Sequence, residues 1–358
     1  MYQKKWWWIG LLSTALIIKI AALFPAFIET YYSNGLYLLI SRFQRLLLGW
    51  LPFSAGDILY AILFLYLLRV IIKTIKGIAQ KKTSKEYWLK ALKKTGFAII
   101  FIYVAFNLLW GLNYNRLGHG YQLQLTQAPY STGDLEQITR LMTTRLSTFS
   151  VAAATPPNYW TKKNLFKEAT NSYKLAAQQY PQLNYPVAAV KPSLFSYLGN
   201  YLGYTGYYNP FTGEAQVNTT VPQFVQPFTT CHEIGHQLGY AKENEANFAG
   251  YLTAKKSTDT AFLYSLYFDL YSYAIRELYT RDSVMARTIH TSIPAKAKAD
   301  FKALQLFYEK HQNPIEPVIK YLYTNYLRAN EQPSGMQSYS EVTALLIAYY
   351  KKNGAATF

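Results

Sequence analysis

The chain has 358 residues, half of them hydrophobic and only 15% charged, with a formal net charge of +17, which is room for a membrane region plus one soluble domain. A basic balance can signal nucleic acid, but here the lysines from Lys73 to Lys94 crowd between two apolar runs, which argues against a nucleic-acid face and for membrane topology. The single cysteine, Cys231, excludes an internal disulfide and a cysteine-rich zinc knuckle.

Residues 6–27 form the first apolar run, preceded by Lys4 and Lys5, interrupted by Lys19 and closed by Pro25. No small-x-small cleavage site follows and further spans come next, so it reads as an uncleaved transmembrane helix rather than a signal peptide. Residues 56–73 and 96–112 read as the second and third spans, each needing its flanks to reach the roughly 20 residues of a crossing. Between the first two, residues 37–50 place apolar side chains around Arg42 and Arg45, an amphipathic segment lying on the membrane or packed on the bundle. With three spans, positive loops stay inside: Lys4, Lys5 and the Lys73–Lys94 cluster are cytoplasmic, and residues 113–358 form an extracytoplasmic domain on the cell (inner) membrane.

That domain opens with Leu135, Ile138, Leu141, Met142 and Leu146 at helical spacing over 132–148, with Ser131 or Thr132 as the cap. A second helix is expected over 163–180, and Pro156-Pro157 separates the two. Residues 187–221 change character: Gly, Tyr, Asn and Pro recur, and Glu214 to Thr219 alternates like a short strand. It is either an edge strand that an extended substrate joins or a plain structural hairpin. Pro227 and Thr229 mark the start of the next helix and Gly239 its stop. Further helices are expected over 257–280, 295–311, 314–329 and 338–352.

The helix from Pro227 carries His232-Glu233-Ile234-Gly235-His236. Residues four apart share a helical face, so His232 and His236 can hold one metal ion while Glu233 reaches a water as general base, the zinc-hydrolase arrangement. Cys231 points off that face. A third ligand is needed, and Lys242 stands where a metzincin would have histidine. Glu243 and Glu245 are the candidates. Glu243 is favoured because it shares a face with Ala246, Asn247 and Gly250, small enough for close approach to the first helix; Asn247 can also orient a ligand histidine. Glu245 shares a face with Phe248, Ala249 and Leu252, which looks like core. Tyr207, Tyr208 and Arg276 are oxyanion-donor candidates by residue type. His119 reads as a loop residue, and His290 and His311 as cations near helix ends.

Glu243-x-x-Ala246-Asn247 is similar to the element carrying the third ligand in prenyl-processing membrane peptidases. More broadly, Trp110 to Tyr114, Gly206 to Ala215, Phe228 to Gly239, Glu243 to Phe248 and Gly335 to Tyr339 resemble a bacterial membrane family catalogued as domain of unknown function 3810. That resemblance implies a membrane-anchored, HExxH-bearing zinc peptidase and implies no substrate.

The expected architecture is mainly α: N-terminal transmembrane helices, then an α-rich (α+β) zincin-like metallopeptidase domain with a small sheet. The expected chemistry is an endopeptidase with Zn2+ on His232, His236 and Glu243 and with Glu233 as base. Its expected partners are the lipid bilayer and a peptide or protein substrate, with no nucleic acid. Two other classes fit the same residues: a catalytically silent membrane sensor or scaffold, and a metal hydrolase acting on a cell-envelope amide or ester.

Overall fold

A computed structural model describes residues 2–126, 128–152, 161–332 and 339–358. Pro156-Pro157 and the Gly335 to Ser338 part of the family-like motif lie outside them.

The membrane region begins with α1 (Tyr2–Ala22). The helix stops before the expected residue 27, because Phe24 precedes Pro25 and takes non-helical angles (φ −119°, ψ 78°), as steric clash with a following proline ring requires. The chain then re-enters helix as one continuous arm: α2 (Pro25–Phe27), a π-helix (Ile28–Leu36) and α3 (Tyr37–Leu48). The last two long helices are α4 (Ala55–Ala79) and α5 (Lys85–Leu109). Three helices, α1, α4 and α5, are long and apolar enough to cross a membrane. The lysine cluster is mostly not a loop. Lys73 and Lys76 lie on α4, and Lys85, Lys90, Lys93 and Lys94 on α5, so both helices outrun their apolar stretches.

The amphipathic segment is α3, and its sidedness is the reverse of a soluble helix. Tyr37, Ser41, Gln44 and Arg45 are buried against the domain, while Leu39, Phe43, Leu46 and Leu47 are exposed. The buried face is polar because it meets backbone. The hydroxyls of Tyr37 and Ser41 donate to the Gln237 carbonyl, and Gln44 Nε2 donates to the Pro210 carbonyl. An apolar outward face then suits lipid.

A 3₁₀ turn (Gly111–Asn115) leads into the domain. Its elements are α6 (Gly118–Gln122), α7 (Thr132–Ala152), α8 (Lys162–Gln179), β1 (Val190–Pro192), α9 (Ser196–Leu202), β2 (Gly206–Asn209), β3 (Glu214–Val217), α10 (Gln226–Gln237), α11 (Glu243–Ala254), α12 (Thr260–Arg281), α13 (Ser283–Ser292), α14 (Ala295–His311), α15 (Glu316–Ala329) and α16 (Tyr339–Asn353). The molecule is mainly helical, with one small sheet. α12 starts at Thr260 rather than 257 because Asp259 caps it, accepting from the amides of Ala261 and Phe262. α13 is a helix the periodicity missed. Asp282 ends α12 and caps α13, and only Ala286 and Ile289 mark its buried face.

The sheet order is β1-β3-β2, with β1 parallel and β2 antiparallel to β3. Glu214 to Val217 therefore forms the central strand, wholly buried, and β1 and β2 are the two edges beside it. The core joins α7, α8, α11, α12 and α16 through residues such as Leu135, Tyr173, Phe248, Leu266 and Leu346, with α10 buried along its inner face by Cys231 and Ile234.

Candidate metal centre

Pro227 lies in the first turn of α10, where its missing N–H costs nothing. Thr229 sits inside that turn and makes no cap. Gly239 terminates the helix in the left-handed region (φ +84°), and a Cβ there would lie 2.8 Å from Tyr37 and 2.9 Å from Asn113 Oδ1. The last carbonyls of a helix have no partner within it, and here the membrane region supplies them. Trp110 Nε1 donates to His236 O at 3.0 Å, Tyr37 and Ser41 to Gln237 O, and Arg116 to Leu238 O and Gly239 O. The histidine-bearing end of α10 is thus fixed by residues beside or between the spans.

α11 crosses α10 on glycine. A Cβ on Gly250 would meet Phe228 at 3.1 Å and the His232 amide at 3.4 Å, and one on Gly235 would meet Ala246 and Ala249 at 3.2 Å. That approach brings Glu243 to the histidines: its Oε2 is 3.3 Å from His232 Nε2, and its Oε1 is 3.8 Å from His236 Nε2. Ligands about 2.0–2.1 Å from a tetrahedral zinc sit about 3.3 Å apart, so the spacing suits one ion. His232, Glu233 and His236 also offer ligand atoms within 4.8 Å of one another. Glu245 goes elsewhere. It accepts the His119 amide at 2.7 Å on the far side of α11. His119 is no loop residue; it lies on α6, stacked on Tyr240 at 3.9 Å and buried.

Each imidazole is oriented from behind. His232 Nδ1 lies 2.8 Å from Asn247 Oδ1, and His236 Nδ1 lies 2.8 Å from the Tyr240 carbonyl. Both partners are acceptors, so Nδ1 carries a proton and Nε2 turns toward Glu243. Burial holds His236 down to about 4, with Glu243 opposing. Burial also opposes charge on His232, but Glu243 and Glu233 outweigh it and raise the ring. Two imidazoles and one carboxylate match the donor set that zinc takes.

Glu233 faces the same space. Burial pushes its carboxyl up to about 8, with Glu243 adding and His232 opposing, and its Oε2 is buried without a partner among the described residues. β2 runs directly against it: a Cβ on Gly206 would lie 2.6 Å from Glu233 Oε1 and 2.9 Å from the Gln216 carbonyl.

A cavity of about 1220 Å³ contains His232, Glu233, His236 and Glu243. Two of the expected oxyanion donors are engaged elsewhere: the Tyr207 hydroxyl bonds Asp57, and the Tyr208 hydroxyl meets that of Tyr37 at 3.3 Å. Arg276 lines the cavity wall. Two lining residues were not read as site residues from the sequence. Tyr323 of α15 donates to Glu243 Oε1 at 2.7 Å, from 80 positions away. Asp269 of α12 is half-buried, its Oδ2 is buried with no partner among the described residues, and burial raises it to about 7 while His232 and Arg276 oppose. Its one visible sign is a carboxylate in an otherwise apolar run, Tyr267-Phe268-Asp269-Leu270.

A family model described as Protein of unknown function (DUF3810) matches residues 32–347. No curated protein and no solved structure matches the chain.

Proposed function

The chain belongs to the DUF3810 family, and from its site we propose that it is a membrane-anchored zinc metallopeptidase, an endopeptidase with an extracytoplasmic active site. The carrying observation is the convergence of His232, His236 and Glu243, each imidazole oriented from behind, beside a buried Glu233 whose free oxygen faces the same cavity. The lysine-rich ends of α4 and α5 support that orientation, because positive flanks tend to stay cytoplasmic.

His232 Nε2, His236 Nε2 and a Glu243 oxygen would hold the ion. Bound there, zinc supplies a Lewis acid and brings a water's pKa toward neutrality. Glu233 takes the proton of the attacking water on its carboxylate and returns it to the leaving amine. Tyr323 fixes the rotamer of Glu243. The edge of β2 can align an extended polypeptide past Glu233, which is the reason to favour a peptide bond.

The first test is metal content of the purified full-length chain. A fragment starting at Asn113 would lose the Tyr37, Ser41 and Trp110 bonds that fix α10. About one zinc per chain is expected in wild type and Glu233→Gln, and loss of it in His236→Ala, since a site with three protein ligands keeps little affinity with two. Wild type that takes up no zinc on reconstitution would overturn the proposal.

A second expectation concerns the close approach of β2. Gly206→Ala forces Glu233 or the strand aside, and misplacement by an ångström costs about 10²-fold in rate. Turnover should fall by that order while zinc content stays at the wild-type level. Unchanged turnover would remove Gly206 from the site.

A further inference from the structure

The cavity at the candidate metal centre is walled in part by helices of the membrane region. Tyr60 of α4 and Ile99, Ile102, Tyr103 and Phe106 of α5 line it together with His232 and Glu233. All five lie within helices long and apolar enough to cross a bilayer. At 1.5 Å per residue, Ile99 is about 15 Å along α5 from its end at Leu109, roughly half of a 30 Å hydrocarbon layer. The metal centre sits at the top of this wall, since Trp110, the residue after α5, donates to the carbonyl of His236.

The wall opens sideways. α5 packs along α1, but among the described residues no extended contact joins α4 to α5 or α1. Among the described residues the Thr74 and Tyr87 hydroxyls, 2.9 Å apart, link α4 and α5 near their lysine-rich ends. Ile99 and Ile102 stay exposed in the gap. Leu194 and Leu198, near the lining residue Phe195 in the chain, and Val318 and Leu322, near the lining residues Ile319 and Lys320 on α15, are exposed apolar side chains as well.

Resting on the peptidase reading, we infer that the substrate is a polypeptide held in the same bilayer by an apolar segment of its own. That segment lies between α4 and α5, and the adjoining residues run along β2 past Glu233, so cleavage falls just outside the hydrocarbon layer. β2 is what favours a polypeptide over a lipid. Asn218 N–H donates to Thr205 O, which makes that pair inward-facing. By the antiparallel alternation the backbone groups of Gly206 and Tyr208 then point away from β3, toward a strand that could pair with them. An acyl chain has nothing to offer those groups.

The test uses the full-length, zinc-loaded chain in phosphatidylcholine vesicles. Three substrates share one randomised ten-residue linker library with a fluorescent reporter: one joined to a Leu/Ala transmembrane helix, one to a palmitoyl chain, one soluble. The helix-anchored library should be cut about tenfold or more faster than the palmitoylated one, the scale set by burying one or two apolar side chains in the groove. Ile102→Arg should collapse that ratio toward one, and a photo-crosslinker at position 102 should capture the transmembrane helix. Equal cutting of helix-anchored and palmitoylated libraries overturns the inference and leaves the peptidase standing, as does a soluble library cut as fast as either. If a zinc-loaded protein cuts none of the three, the peptidase reading itself fails.

Discussion

Glu233→Gln is expected to lower turnover by about 10³-fold, within the 10²–10⁴-fold range of a positioned acid–base group, with zinc still bound. Glutamine keeps the shape of glutamate and can still sit against Gly206, but it cannot accept a proton from water. Among the described residues no hydrogen bond ties up the second oxygen of this carboxylate, Oε2, and the buried position raises rather than lowers the group's proton affinity. The measurement is release of labelled fragments from an unfolded protein such as casein, or from the anchored library, by wild type and variant at matched zinc content. Turnover in the variant within tenfold of wild type would remove Glu233 as base. Zinc binding with no turnover in wild type, across soluble and anchored substrates, would favour a silent sensor on the same fold.

Arg116→Met is expected to cost about 3–5 kcal/mol of stability, the scale for stranding one member of a buried ion pair. Arg116 and Glu29 meet at 3.0 Å with both side chains only 3% exposed. Gln122 and the Leu117 amide complete the shell around Glu29. The same guanidinium closes the end of α10 through Leu238 O and Gly239 O. Loss of Arg116 should therefore loosen the candidate metal centre as well as the fold. The double variant Glu29→Gln with Arg116→Met should recover part of the loss, because no bare charge remains buried. Burial alone would raise Glu29, but Arg116, Gln122 and Asn34 hold it at about 2. With a folded value below the ordinary 4.5, the pair's contribution is complete above about pH 4.5 and is lost as pH falls toward 2. Denaturant unfolding in detergent, at neutral pH and along an acid series, measures both. A change under 1 kcal/mol for the single variant would show that the pair is not holding the arm to the domain.

Much of the centre was legible because its signals are local. His232 and His236 share a face through four-residue spacing, Gly239 stops the helix, and the small face of Glu243, Ala246, Asn247 and Gly250 foretold that α11 would close on α10. The choice between Glu243 and Glu245 could be leaned but not fixed, since both lie in the first turn of α11. The packing separates them: one reaches the histidines, the other the His119 amide. α13 and the edge strand went unread for different reasons. α13 buries too few residues to show a period, and which strand is an edge depends on what pairs with it. β1, more than twenty residues earlier in the chain, takes the other side of β3.

By itself the sequence determined three apolar helices, a mainly helical domain and a helix carrying two histidines and a glutamate, because periodicity, capping and hydropathy are properties of neighbouring residues. Only the tertiary structure decided what surrounds that helix. Tyr37, Trp110 and Arg116 close its end, Gly206 presses on Glu233, Tyr323 grips Glu243, and α4 and α5 wall the cavity. Those contacts join residues tens to hundreds of positions apart, and their partners are chosen by packing and by the need to satisfy buried polar groups, neither of which leaves a mark on local spacing.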